Sequence, residues 1–232
     1  MAVVRVGTSG WSYPAWVGTV YPPKTSPARM LGVYAGEFST VEAHATYRRL
    51  PSAVALTKWR DTVPPRFRFA PKAHMGISHR RDLDGVEDRV GAFLAAVAPL
   101  GPTLGPAMVS LPHLTPDLDR LRRILAAFTV PAAFELGPAW DRPDVLDVLD
   151  AGGATLVISD TAERPTSAIP AVGPVAYVRL RRADYTPADL DVWAQRLAKV
   201  AADDRDTYVF MKHDDEATGP RLARELMSRL HG

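Results

Sequence analysis

The sequence predicts an α/β fold: a single-domain (β/α)8 barrel of the TIM type over residues 1–232. Three observations carry this. Eight short runs rich in Val, Ile, Phe and Leu recur along the chain, each closed by turn formers. Helical patterns lie between most of them, as in successive βαβ units. No linker, low-complexity stretch or composition shift divides the chain, which favours a closed barrel over an open doubly wound sheet.

The strand candidates are 3–6, 39–43, 67–73, 107–111, 132–136, 155–159, 175–180 and 207–211. Several are nearly continuous apolar runs, such as TLVIS, the pattern of strands covered on both faces. Between the first two, Ser26-Pro27 opens a helix as cap and first-turn proline, and Ala28, Leu31, Tyr34, Ala35 and Phe38 follow at helical spacing. A shorter helix is expected at 53–61. Val86, Val90, Phe93, Leu94 and Val97 form the next apolar stripe, and Leu118, Leu121, Ile124, Leu125 and Phe128 another. A short helix follows at 143–151. Thr186-Pro187 repeats the cap-plus-proline opening ahead of Leu190, Trp193, Leu197 and Val200. A last helix carries Leu222, Leu226 and Leu230. The segment DTAERPTSAIPAVGP after the sixth strand is too rich in proline for a helix, so a loop is expected there.

Composition narrows the function classes. Apolar residues are 47% and charged residues 23%, an ordinary globular balance, and no apolar run is long enough to span a membrane. The opening MAVVRVGTSG lacks the features of a signal peptide, so a cytoplasmic location is expected. Cysteine is absent, which excludes disulfides and thiolate catalysis; a divalent metal, if bound, would rest on His and carboxylates. Net charge is only +2, but 23 of the 28 basic residues are Arg, suited to planar contacts with phosphate and carboxylate. Walker A, dinucleotide-binding and HExxH motifs are all missing.

Barrel active sites lie at the C-terminal ends of the strands, which selects the residues to inspect. The first loop, GTSGWSYPAW, carries Trp11 and Trp16, either to stack on a flat ligand or to plug the top of the core. The second strand ends in Glu42 and His44, two apart and so on one face, as an acid–base pair or metal ligands would be. The third ends in Lys72 and His74; Glu42 is the partner expected for Lys72. The fifth offers Glu135 and Trp140, the sixth Asp160, the seventh Arg179, and the eighth Lys212 and His213. Acids and bases together on one rim allow pKa values to be pushed apart for catalysis, although a ring of structural ion pairs looks the same in sequence. The pairs Arg48-Arg49, Arg80-Arg81 and Arg181-Arg182 fall just beyond strands two, three and seven, a basic collar for an anionic small molecule or nucleic acid; Arg122-Arg123 falls inside a helix, on a solvated face.

The stretches VGTSGWSYPAWVGTVYP, YAGEFSTVEAHATYRRLPS and FRFAPKAHMGISHRRDL, followed in order by VSLPH, AFELGPAW, YVRL and VFMKHDDEATGPRLARELM, resemble the YecE-like family, also called domain of unknown function 72. The resemblance covers nearly the whole chain and implies a (β/α)8-type barrel. It implies no reaction, because none is established for the family. Glu42, Tyr47, Lys72, His79, Glu135, Trp140 and Arg179 match the family pattern. His44, Gly137-Pro138, Arg181-Arg182 and Lys212-His213 depart from it, as in a branch with a changed substrate or with lost activity. The reading from these residues is an enzyme working by hydrolysis or acid–base chemistry on an anionic, phosphate-containing substrate. Glu42, His44, Lys72, Glu135 and Arg179 would be catalytic. Trp11, Tyr47, His74, His79, Trp140, Asp160, Lys212 and His213 would contact the substrate. A nucleic-acid-binding barrel and a scaffold with a structural ion-pair rim are the alternatives.

Overall fold

The structure, a computed structural model, describes residues 2–78, 84–166 and 168–230. Its elements run β1 (Val4–Ser9), α1 (Pro27–Glu37), β2 (Thr40–Ala43), α2 (Ala45–Arg48), α3 (Ala53–Thr62), β3 (Arg68–Pro71), α4 (Met75–Ser78), α5 (Val86–Val97), β4 (Ala107–Leu111), α6 (Leu118–Ala126), β5 (Ala132–Leu136), α7 (Pro143–Ala151), β6 (Thr155–Asp160), β7 (Val175–Leu180), α8 (Pro187–Ala202), β8 (Asp206–Met211) and α9 (Thr218–Leu230). The eight strands are parallel and ordered β3-β2-β1-β8-β7-β6-β5-β4. The two ends of that sheet meet: Gly105 N–H donates to Phe69 O at 2.7 Å and Ala73 N–H to Met108 O at 2.8 Å. The fold is therefore the expected barrel, closed between β3 and β4 by isolated bridges rather than a full ladder.

Alternation along the strands builds two cores. On β7, Val178 and Leu180 pack outward under the helices, while Tyr177 turns inward with Ala70, Met108, Ala133, Val157, Tyr208 and Phe210 to fill the barrel. Several helices start at side-chain caps, although Ser26, expected to cap α1, makes no side-chain capping bond. Thr186 and Asp189 form a reciprocal capping box before Pro187, the Ser52 hydroxyl accepts from Ala55 N–H, and the Asp117 carboxylate accepts from two amides of α6. As expected, no helix occurs between β6 and β7 among the described residues. No helix is long and apolar enough to cross a membrane among them either.

Two local differences from the sequence reading matter for the site. The first strand continues through Gly7, Thr8 and Ser9, which read as a turn in sequence. Tertiary contacts extend it: the Tyr34 hydroxyl, from α1, accepts from Thr8 N–H at 2.8 Å and donates to Thr40 O at 3.1 Å, pinning β1 to β2. The short helices α2 and α4 directly follow β2 and β3, so His44 and His74 leave the strand geometry that their spacing suggested.

The close approach of β1 to β2 requires glycine at position 7, where a Cβ would lie 1.9 Å from Thr40 O and 2.9 Å from the Tyr34 hydroxyl. Relief needs backbone movement at the strand pair that carries Ser9 and Glu42. Gly7→Ala is expected to lower stability by about 2 kcal/mol or more, read as a shift in the urea midpoint at constant m-value; an unchanged midpoint would show that this pair is looser than drawn.

Candidate active site

The upper layer of the barrel interior is polar and is built around one buried cation. Arg179, on β7, is 6% exposed. Its guanidinium donates to Glu42 Oε1 at 3.1 Å and to Glu135 Oε1 at 2.6 Å, joining β2 and β5 across the barrel. Glu42 is fully buried and saturated with donors: Ser9 Oγ at 3.2 Å, His44 Nε2 at 2.5 Å and Arg179 reach Oε1, and the Tyr177 hydroxyl reaches Oε2 at 2.8 Å. Glu135 accepts from Ser159 Oγ at 2.7 Å and Ser110 Oγ at 3.0 Å. Six of the eight strands thus feed one hydrogen-bonded network.

Charge states follow from it. Burial alone would raise the Glu42 pKa, but the Arg179 charge and the His44 hydrogen bond outweigh it and hold the carboxyl well below the ordinary range. Glu135 is likewise lowered, burial being overcome by Arg179 and by the Ser159 and Arg179 hydrogen bonds. Arg179 is driven further toward the charged form: burial opposes its charge, and the two glutamates overcome that. Burial, reinforced by Glu42, pushes the Tyr177 phenol up, so it remains a donor.

Above this layer lies the rim. Lys72 does not pair with Glu42, as the sequence had suggested; Arg179 takes that carboxylate, and Lys72 Nζ lies 4.6 Å over the Tyr47 ring. Burial and the positive charge of Arg179 lower the Lys72 pKa. Arg181 donates to Ser9 Oγ at 2.8 Å. Among the described residues, Arg48, Arg49, Lys72, Arg181 and Lys212 form no ion pair with a carboxylate. Arg182 differs, being held by Asp184 at 3.2 Å and Asp189 at 2.9 Å. A cavity of about 540 Å3 opens here, lined by Glu135, Ser159, Arg179, Arg181, Arg182 and Lys212 among others.

The opening loop caps this rim from the β1 side. Trp11 is 7% exposed and packs edge-on against Trp59 at 4.8 Å and against Phe69 at 6.2 Å. Trp16 is fully buried, its Nε1 donating to Asp214 O at 2.7 Å. Trp140 is 4% exposed and donates to Leu114 O at 3.1 Å. These indoles plug the top of the core. The aromatic faces nearer the polar network are Tyr13, stacked on His213 at 4.9 Å, and Tyr47 beneath Lys72. His213 in turn meets His44 edge-on at 5.9 Å. Burial and the neighbouring His44 and Arg181 lower the His213 pKa, and its Nδ1 is buried without a partner. Asp160 has both oxygens engaged, by Thr166 N–H at 2.7 Å and the Tyr185 hydroxyl at 2.6 Å, and so ties the loop after β6 to β7's following segment. His74 lies beside Arg48 O at 3.3 Å, away from the network. His79 and Arg80-Arg81 lie outside the described residues.

No group of three or more His, Asp or Glu side chains able to hold a metal ion occurs among the described residues. At the best candidate pair, Glu42 and His44, the four donors already on the carboxylate would have to yield to a cation. Asp214, in the HDDE run, instead caps α9 through Thr218 and Gly219 N–H. Sequence reading missed Tyr177, Ser9, Ser110 and Ser159. Their signal was alternation: Tyr177 and Arg179 share one face of β7, and each serine is a small polar residue near the end of an apolar strand.

Comparison with known proteins places this geometry. The family described as "Protein of unknown function DUF72" matches residues 5–232. The chain belongs to the DUF72 family. "UPF0759 protein YecE" of Escherichia coli K12 is 32% identical over 110 residues, 47% of this chain and 38% of YecE. "UPF0759 protein YunF" of Bacillus subtilis 168 is 30% identical over 101 residues, 42% of this chain and 35% of YunF. The match thus spans little more than a third of either relative's length. Crystal structures of DUF72 proteins from Thermotoga maritima MSB8 and Enterococcus faecalis V583 superpose with TM-scores of 0.84 and 0.82. They are 22% and 21% identical, covering 99% of this chain and 100% and 96% of theirs. At that identity they establish the shared barrel fold.

The Arg179 bridge makes a pH-dependent prediction for this DUF72 barrel. Both glutamates have folded-state pKa values below the ordinary value, so their contribution is complete above about pH 4.3 and is lost as pH falls through the depressed values. Arg179→Met leaves two buried carboxylates without their cation and is expected to cost about 3–5 kcal/mol at pH 7. At pH 4 the variant's carboxylates take up protons, so the deficit against wild type shrinks. Urea denaturation at both pH values reads this; equal deficits at the two would rule out the ionised bridge.

Proposed function

We propose that the protein is an enzyme of acid–base chemistry, hydrolytic or proton-transferring, acting on a small phosphate- or carboxylate-bearing substrate at the C-terminal mouth of the barrel. The observation that carries this reading is the Glu42–His44 pair. Glu42 is ionised and can only accept, so the nitrogen 2.5 Å from it, His44 Nε2, carries the proton. That tautomer leaves Nδ1 of a neutral ring with its lone pair, on a side chain 27% exposed at the rim. Glu42 then fixes the imidazole's orientation and leaves Nδ1 free to accept, as a buried carboxylate does for a general-base histidine. Glu42 and Glu135, both expected from sequence to be catalytic, are better suited to a supporting role, because Arg179 holds both ionised and engaged.

The unpaired rim cations supply the other half. Arg181 and Lys212 line the rim cavity and Lys72 lies at Tyr47, none of them in an ion pair with a carboxylate among the described residues; although Glu163 and Asp184 also line the cavity, these cations favour an anionic group there. Arg179 itself favours a second reading, a structural ion-pair rim, since its two bonds are spent inside the protein. The two readings separate at His44, which such a rim does not need.

Thermal shift and turnover assays with inorganic phosphate, sugar phosphates, nucleotides and dicarboxylates test the reading. Anion binding is expected, and the Arg181→Ala/Lys212→Ala double variant should weaken it at least tenfold. Against any substrate found, His44→Gln should retain the fold and lower kcat by about 10²-fold or more. Anion affinity indifferent to the double variant, or full turnover in His44→Gln, overturns the proposal.

A further inference from the structure

Lys72 stands at the C-terminal end of β3 with its backbone held on both sides. Its N–H donates to Ala43 O of β2 at 3.2 Å, and the residue bridges to Met108 of β4. Ala70, two residues earlier, faces the inside of the barrel, so alternation turns Lys72 inward as well, into the mouth above the Arg179 layer. There its side chain is only partly exposed, whereas Lys24, Lys58, Lys199 and Lys212 are exposed. Its Nζ lies 4.6 Å over the Tyr47 ring and forms no ion pair with a carboxylate among the described residues.

Both carboxylates of the layer below are bonded to Arg179. An ammonium at Lys72 is therefore partly stripped of water, lies within reach of like charge, and has an aromatic face as its nearest partner, a weaker one than a carboxylate. Burial is the largest cause of its lowered pKa, Arg179 comes next and Arg181 adds to it; Glu42 and Glu135 oppose the shift without reversing it. A lysine whose charge is disfavoured by burial and by a neighbouring cation is a nucleophile toward carbonyl carbon. His44 emerges beside it, because His44 directly follows Ala43, the residue that accepts from Lys72 N–H.

We propose that Lys72 is a covalent nucleophile, which forms an imine with the aldehyde or ketone group of a small anionic substrate. The inference rests on the reading of the rim as an anion site with His44 as its base, and it names the reacting group of the substrate. The amine lone pair adds to the carbonyl carbon. Both amine hydrogens then leave with the carbonyl oxygen as water, and the C=N bond forms with no oxidant or reductant. Protonated by solvent, the imine draws in the electron pair of the adjacent C–H bond while that proton passes to His44 Nδ1. Return of the proton and hydrolysis of the imine release the product and restore the amine. Arg181 and Lys212 line the cavity that receives the anionic end.

Reductive trapping tests this on the wild-type protein, with the exposed lysines as internal standards. The protein is incubated with pyruvate and sodium cyanoborohydride, which reduces imines in preference to carbonyls, and each lysine is then followed by peptide mass mapping. Lys72 is expected to be alkylated about tenfold or more faster than Lys24, Lys58 and Lys199, since each unit of lowered pKa is a tenfold gain in neutral amine. With acetone, a neutral ketone, that selectivity is expected to be lower by about threefold or more. Lys72 reacting no faster than the exposed lysines with either probe overturns the nucleophile and leaves the anion site to its own binding assay. Equal selectivity for Lys72 with the two probes also overturns the proposal, but through the rim: the nucleophile is then real and the anion site is not.

Discussion

The site depends on one buried guanidinium. Arg179 sits inside the barrel, and removing its charge from water is affordable only because two carboxylates reach it from opposite walls. That requirement arranges the rest. Glu42 must be ionised and must come from β2, so β1 and β2 have to approach closely, which Gly7 and the Tyr34 hydroxyl permit. Glu135 must come from β5, so that strand stays aligned with β4 to its end while parting from β6. The serines at the ends of β1, β4 and β6 satisfy lone pairs that the guanidinium does not reach.

The same interaction decides which groups remain available for chemistry. Glu42, which accepts four hydrogen bonds and is held ionised chiefly by Arg179, has a poor tendency to take a proton. The titratable group left at the surface of the network is His44, whose tautomer Glu42 dictates. One layer higher, Lys72, Arg181 and Lys212 form no ion pair with a carboxylate among the described residues; the single charge of Arg179 offsets only one of the two glutamates, and the remaining negative charge acts on Lys72 and Arg181 from below. Arg179 and the two glutamates thus form the deeper layer of the network, and the further cations lie above it.

Much of the fold was legible because barrel strands are buried on both faces. Runs such as TLVIS and AYVRL stand out against polar, helix-patterned neighbours, and the proline-rich stretch after β6 announced that no helix would be found there among the described residues. The end of β1 was not legible: Gly7-Thr8-Ser9-Gly10 has turn composition, and only contacts with Tyr34 and Glu42, distant in sequence, make it strand. In the site, the ionisable residues at strand ends could be picked out, but their pairing could not. Sequence suggests neighbours, and so matched Lys72 with Glu42 on the adjacent strand; the barrel interior brings together strands that are far apart in order, and matched Arg179 with it. The indoles were ambiguous for a related reason. Trp11, Trp16 and Trp140 are buried by partners on other segments, Trp59, Asp214 and Leu114, none of which the local sequence identifies.

The opening loop ties these observations together. Its aromatic content looks like a ligand platform, yet most of it is spent on holding two loops in register. Trp16 is anchored to the backbone of Asp214, and Asp214 caps α9, so the loop after β1 is tied to the loop after β8. Tyr13, donating to Ser9 O at 2.7 Å, is stacked on His213, which lies against His44. Aromatic stacking and backbone anchors therefore gather on the β8–β1–β2 side, around the Glu42–His44 pair. On the far side β5 and β6 pair at only two positions, and Ser159 joins them by its hydrogen bond to Glu135.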